Sequence, residues 1–272
     1  MSSTERPPLT VFTPFYKTNA DYFDETIVSV LSQSFRDFEY LMINDGPAED
    51  AQRIEDKFRD PRIRIITTAK PLGLSGSRNA GLHEARGDLI AFIDSDDFCE
   101  PGRLQKQIDF MRANPDHVLV GSALRFIDEK SQTIGSRVYP ETDEQIKKRI
   151  VAINVIAQPS VMARRQALID AGGYLPDYPA AEDYALWLRL ARRGKFHNLQ
   201  EPLVAYRIHL QSGKHRLLRP ALRDSTRLKI NAIRHLGFKP TPRSLASIAA
   251  HLVLLALPSP VVYWIFRKTF VR

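Results

Sequence analysis

The chain has 272 residues, 43% apolar and 26% charged, which excludes a low-complexity or disordered chain and leaves room for one large α/β domain with an appendage. Its single cysteine, Cys99, excludes an internal disulfide framework and a multi-cysteine metal site. The formal charge of +8 is uneven, because residues 213–272 carry twelve Lys or Arg against one acid, Asp224, a net +11 that leaves −3 for residues 1–212. We therefore expect a slightly acidic body over 1–212 and a basic tail over 213–272 suited to a polyanionic surface. The opening MSSTERPPLT has no apolar signal core, so a reducing, cytoplasmic setting is expected.

The body reads in chain order as alternating strands and helices. Apolar runs predict strands over 9–15, 38–45, 62–68 and 88–94, and mixed polar segments predict helices over 20–34, 48–60, 73–85 and 101–114. Such alternation favours a mainly parallel sheet flanked by helices, with ligands gathering at the carboxyl ends of the strands. Asp45 and Asp94 both fall at such ends.

The second of those ends carries Asp94, Asp96 and Asp97 within four residues of DLIAFIDSDD. An EF-hand loop requires Asp or Asn at its fifth position and Gly at its sixth, where this chain has Phe98 and Cys99. The turn GLSGSRNAG lacks the Lys-Ser/Thr pair of a P-loop, and its glycines do not fit G-x-G-x-x-G. Two readings of the aspartates remain: a Asp-x-Asp that holds a hard divalent cation through oxygen, or a turn that solvates acids and leads into the helix near Pro101.

Farther on, AAEDYALWLRLARRG predicts a helix over 180–194 with Leu186, Trp187 and Leu190 buried and Glu182 and Asp183 in its first turn, where acids suit the helix dipole. In the tail, a helix starting at Pro220 would align Ala221, Leu228, Ala232 and Leu236 opposite Arg223, Arg227 and Arg234. The apolar stretch that follows is unbroken for fourteen residues before Pro258, short of the ~20 that a spanning helix needs. Pro258, Pro260, Tyr263, Trp264, Arg267 and Lys268 then suit an interfacial or hairpin-like membrane contact rather than a span. A helix packed on the body with solvated arginines is the alternative.

The segments TPFYKTNADYFDETIVSVLSQSFRDFEYLMINDG, GLSGSRNAG, GDLIAFIDSDD, QPSVMARRQALIDAGGY and AEDYALWLRLARRG, in that order, resemble the family 2 glycosyltransferases of the GT-A fold, the inverting type that builds bacterial cell-surface polysaccharides. The resemblance implies that Thr13 and Asp45 flank the nucleobase of a UDP-, dTDP- or GDP-sugar. It places Arg78 near the diphosphate, Asp94 on the ribose side, Ser95 near the sugar and Asp96 on a divalent cation, Mg²⁺ or Mn²⁺. His209, in YRIHLQSGKH, matches a residue that approaches the metal or diphosphate. Asp183 matches the general base facing the acceptor, with Glu182 as its neighbour. The family usually reads Asp-Asp-Gly-Ser where this chain has Asn44-Asp45-Gly46-Pro47.

The expected function is metal-dependent, inverting transfer of a hexosyl or deoxyhexosyl group to a saccharide or lipid-linked saccharide. The expected location is the inner face of the plasma membrane, with residues 213–272 on its anionic surface. An inactive sugar-nucleotide-binding module would share the body, and Asn44 alone favours it. A nucleic-acid binder would explain the basic tail, but the tail's aromatics are not interleaved with its charges and no reading module is recognisable, so no nucleic acid is expected.

Overall fold

The structure, a computed structural model, describes residues 6–208, 214–259 and 261–262. Its first half alternates as the apolar runs dictate: β1 (Leu9–Phe15), α1 (Ala20–Leu31), β2 (Phe38–Asn44), α2 (Ala48–Lys57), β3 (Ile63–Thr67), α3 (Gly73–Glu84) and β4 (Leu89–Phe92). β2 and β4 are buried at every position and β1 at all but one, the signature of strands covered on both faces. The chain continues through β5 (Phe98–Cys99), α4 (Arg103–Ala113), β6 (His117–Ile127), β7 (Thr133–Arg137) and α5 (Asp143–Ile150). After a 3-10 turn at Gln158–Ser160 come β8 (Met162–Arg164), α6 (Arg165–Asp170), α7 (Glu182–Leu190), β9 (Lys195–Arg207), α8 (Lys214–His235) and α9 (Pro242–Ala256).

The strands form one sheet in the order β3-β2-β1-β4-β8-β6-β9-β5, with β7 paired to β6. Among the described residues, β3, β2, β1, β4, β6 and β9 point one way, and β5, β7 and β8 run against them. β1 is flanked by β2 on one side and β4 on the other, so the direction of winding reverses there. That reversal opens a crevice beyond the carboxyl ends of β1 and β4, the usual ligand position in such sheets.

Helices cover both faces. On one, Val11, Met42 and Ala91 pack against Phe23 and Ile27 of α1 and Leu104 and Ile108 of α4. On the other, Phe12, Leu41 and Phe92 meet Leu82 of α3, Trp187 of α7 and Leu228 and Ala232 of α8. α3 approaches β1 so closely at Gly81 that a Cβ there would stand 2.2 Å from the Phe12 ring. α4 begins at Arg103 rather than at 101 because Gly102 precedes it with φ +76, a left-handed conformation that glycine adopts freely.

In the tail, α8 begins at Lys214, six residues before the expected start, and carries Pro220 inside it; a proline there forfeits a backbone donor but a long, packed helix tolerates the loss. The expected stripe forms, with Leu228 and Ala232 buried and Arg223, Arg227 and Arg234 exposed. Lys229 breaks the pattern, a basic residue only 2% exposed. α9 packs along α8 and is fastened to the body where Ser247 Oγ donates to the Ala152 carbonyl at 2.7 Å. Among the described residues no helix is long and apolar enough to cross a membrane. Pro260, Tyr263, Trp264, Arg267 and Lys268 lie outside the described residues.

Candidate active site

Asp45 closes β2, and its backbone N–H donates to the Phe15 carbonyl at 2.9 Å. Its carboxylate accepts from Thr68 Oγ1, Leu72 N and Gly73 N, each at 2.8 Å, and so fixes the loop that leads into α3. A cavity of about 300 Å³ opens beside it, lined by Pro14, Phe15, Tyr16, Asp45, Gly73 and Leu74 among others. The exposed Tyr16 and Leu74 offer flat, apolar walls there. Thr13 is fully buried, its hydroxyl 3.1 Å from that of Tyr40, so the residues that follow it line the cavity instead. Asn44 is also fully buried. Its Oδ1 accepts from Gly46 N at 3.0 Å and its Nδ2 donates to the Pro47 carbonyl at 2.7 Å. An aspartate could not make that second bond, so in this chain Asn44 is matched to its own turn.

The acidic turn after β4 is gathered by two buried arginines. Arg78, from α3, donates to Glu182 Oε1 at 2.5 Å and to Asp94 Oδ1 at 3.4 Å, with its guanidinium 5.4 Å from the centre of the Tyr174 ring. Burial opposes that charge, but Asp94, Tyr174, Glu182 and Asp183 raise its pKa above the ordinary arginine value. Arg207, at the end of β9, is 1% exposed. Its backbone N–H donates to Asp97 Oδ1 at 2.8 Å, its Nε to the Asp96 carbonyl at 3.0 Å and its Nη2 to Glu25 Oε2 at 2.7 Å. Asp97 is thus an anchor between the turn and β9, not the start of a helix. Ser95 is held from the other side, its hydroxyl 2.9 Å from that of Thr18.

Asp94, Ser95 and Asp96 remain half-buried at the crevice. Among the described residues no group of three or more His, Cys, Asp or Glu is arranged to hold a metal ion. His209 lies outside the described residues. Carboxylate oxygens at a strand end are nonetheless the donor type that Mg²⁺ or Mn²⁺ takes, and Mg²⁺ is commonly held by one or two carboxylates plus substrate phosphates.

Glu182 and Asp183 open α7. Asp183 Oδ1 accepts from Tyr184 N at 2.6 Å and Oδ2 from Asn154 Nδ2 at 3.2 Å. Burial pushes the pKa of each acid up, although Arg78 pulls both down. Asp183 borders a cavity of about 480 Å³ whose wall also includes Asn154, Tyr184, Lys229, Arg243 and His251. The Asp94–Arg78–Glu182 chain therefore ties the acidic turn of the crevice to the acid-bearing end of α7. A carboxyl group with a raised pKa beside a cavity is suited to proton transfer.

Of the residues singled out from the sequence, Arg78, Asp94, Glu182 and Asp183 come together in this way, and Asp45 sits at the neighbouring cavity. Arg207, Asn154 and Lys229 were not anticipated. Arg207 stands within YRIHLQSGKH, yet its bond to Asp97 spans 110 positions, and no local pattern announces such a partner.

The model of Glycosyl transferase family 2 matches residues 10–172. The chain belongs to that family. It is 34% identical over 198 residues to the O-antigen biosynthesis glycosyltransferase WbnJ of Escherichia coli, covering 70% of this chain and 76% of that one. It is 30% identical over 205 residues to the E. coli UDP-Glc:alpha-D-GlcNAc-diphosphoundecaprenol beta-1,3-glucosyltransferase WfaP, covering 75% and 79%. In fold, this family 2 glycosyltransferase superposes on the mannosyltransferase PcManGT from Pyrobaculum calidifontis, solved with GDP-Man and Mn²⁺. The TM-score is 0.64 at 17% identity, over 95% of this chain and 72% of that one. The α/β sheet with its covering helices is accordingly the GT-A fold.

Proposed function

We propose that the protein moves a sugar from a UDP-, dTDP- or GDP-sugar to a hydroxyl of a saccharide or lipid-linked saccharide, with inversion, in cell-surface polysaccharide synthesis. The observation that carries this reading is the Asp94–Arg78–Glu182 chain, which holds donor-side and acceptor-side acids in one framework. Support for the substrate class comes from the relatives' names, which include an O-antigen enzyme and a UDP-Glc-dependent enzyme.

In this reading the base enters the cavity beside Tyr16 and Leu74, where Asp45 Oδ2, which accepts one backbone N–H, keeps a lone pair for an imide or guanine N–H; the buried Thr13 would act from behind the wall. Asp94 faces the ribose side and Ser95 the sugar. Arg78 stabilises the diphosphate charge as it develops. Asp96, with His209, would hold Mg²⁺ or Mn²⁺, and the Mn²⁺ complex of PcManGT supports that class of ion. Such an ion supplies Lewis-acid neutralisation of the leaving diphosphate. An Asp183 oxygen takes the acceptor's hydroxyl proton while the acceptor oxygen bonds to the anomeric carbon and the bond to the diphosphate breaks, by attack from the opposite face. Glu182 keeps Arg78 in place between the two sides.

The test is release of nucleotide from UDP-, dTDP- and GDP-sugars with acceptor, with Mn²⁺ and with EDTA, in wild type and Asp96→Asn. One donor class should turn over, EDTA should stop it, and Asp96→Asn should reduce it by about 10²-fold or more. Absence of turnover with every donor and acceptor tried would sink the enzyme reading.

The same reading puts residues 213–272 against the anionic inner face of the plasma membrane. α9 exposes Leu245, Leu252 and Val253, and α8 exposes Arg223, Arg227 and Arg234. Vesicles rich in anionic lipid should carry the protein on flotation and neutral vesicles should carry less, increasingly so as salt is lowered.

A further inference from the structure

The cavity beside Asp183 holds a lysine that makes no ion pair among the described residues. Lys229, 2% exposed, donates from Nζ to Ser247 Oγ at 2.7 Å and lies 3.3 Å from Nε2 of His251. Burial and the neighbouring ammonium bring His251 down to about 4, so that ring is neutral, and burial brings Lys229 down to about 8. The ammonium therefore stays mainly charged near pH 7 among neutral partners, an arrangement that costs stability unless an anion joins it.

Lys229 has company. Arg243 and Ile153 line both this cavity and a second one of about 350 Å³, whose wall also carries Arg137 and Arg149. Among the described residues none of these four cations makes an ion pair, whereas Lys147 and Arg227 on the same helices as Arg149 and Lys229 pair with Asp143 and Asp224. Asp183, at one end of the row, is the acid of the first cavity's wall. Exposed Ile153 and Val138 add apolar surface along the second cavity.

We infer that the two adjoining cavities form a phosphoryl subsite for the acceptor, whose hydroxyl lies at Asp183 while its phosphate oxygens lie on Lys229 and Arg243. Arg149 and Arg137 continue the path. This deepens the transferase reading and rests on it for the direction of the acceptor. Guanidinium forks match phosphate oxygens in pairs, and a neutral sugar would leave the Lys229 charge uncompensated. The apolar surface beside the arginines favours a phosphate that joins the sugar to a lipid.

The test is calorimetric binding, in metal-free buffer, of farnesyl diphosphate, inorganic diphosphate and farnesol to the full chain and to Lys229→Gln and Arg243→Gln. Arg243 is exposed, so its variant is informative even if the buried Lys229 change impairs folding. Each substitution should weaken farnesyl diphosphate at least tenfold and leave farnesol unaffected. Inorganic diphosphate binding as tightly as farnesyl diphosphate, and losing the same factor, would keep the subsite and assign it to a phosphate without a lipid. Unchanged farnesyl diphosphate affinity in the variants, or equal affinity of wild type for farnesol, would overturn the proposal. Phosphate binding with these losses but no transfer from any donor would remove the transferase reading alone. Transfer to a saccharide linked to a lipid diphosphate with KM unchanged in Arg243→Gln would remove the subsite alone.

Discussion

Asp183 is where charge, burial and chemistry meet in one side chain. Burial is the larger influence on it and raises its pKa, so the folded protein holds that proton more tightly than the unfolded chain does. Stability from this group is greatest below the ordinary carboxylate pKa and is lost as pH rises through the folded value. Asp183→Asn should therefore cut transfer by about 10²–10⁴-fold without lowering the unfolding midpoint at pH 7.5, read by calorimetry beside the assay. The acid limb of kcat/KM should also lie above the ordinary aspartate range and titrate as a Glu182–Asp183 pair; an acid limb at the unperturbed value would contradict it. Asn44 argues differently. Replacing it with Asp would set a carboxylate against the Pro47 carbonyl, now 2.7 Å from Nδ2, and should cost about 1–3 kcal/mol in urea unfolding. The placement of Asp94, Asp96, Asp45 and Asp183 was legible because each stands at or just beyond a strand end or at a helix start within a recognisable run. Arg207 and Lys229 were not, because their meaning lies in partners supplied by β5's turn and by α9.

At the scale of elements, β1 to β4 and α1 to α4 were legible because unbroken apolar runs separated by Gly, Pro and Asp leave little choice of period. β6, β8 and β9 were not read as strands. β9 carries Asn198, Gln200, Glu201 and Pro202 in mid-course, and its pairing with β6 shifts register twice near Ser122 and Ala123, so its alternation is interrupted where a reader would look for it. The tight seat of α3 on β1 predicts a further outcome. Gly81→Val would drive a branched side chain into the Phe12 ring and should destabilise the fold by about 1–3 kcal/mol or more, whereas Gly135→Val on the exposed strand β7, where a Cβ would stand 3.6 Å from Phe126, should be tolerated. Comparable losses in both would remove the packing argument.

Over the whole molecule, charge marks an acidic body and a basic tail, but burial joins them. Leu228 and Ala232 sit in the same cluster as Trp187 and Leu190, and Asp224 accepts from the Ala180 backbone at 3.3 Å. Removing residues 214–272 should uncover that apolar surface and yield an aggregating product, judged by gel filtration. A soluble, cooperatively unfolding 1–213 fragment would show that the tail is dispensable to the fold. The composition step at 213 is thus a change of surface, and the packing between α7 and α8 crosses it.

The shared guanidinium of Arg78 has a thermodynamic corollary. It lowers the proton affinity of Glu182 and Asp183, so an anion that draws on its charge must raise that affinity. Nucleotide binding should then take up protons, and the observed heat should depend on the ionisation enthalpy of the buffer, most strongly near the acids' apparent pKa. In the proposed reaction the same linkage would make Asp183 more basic once the donor is in place, so readiness to accept a proton would be conferred by the other substrate.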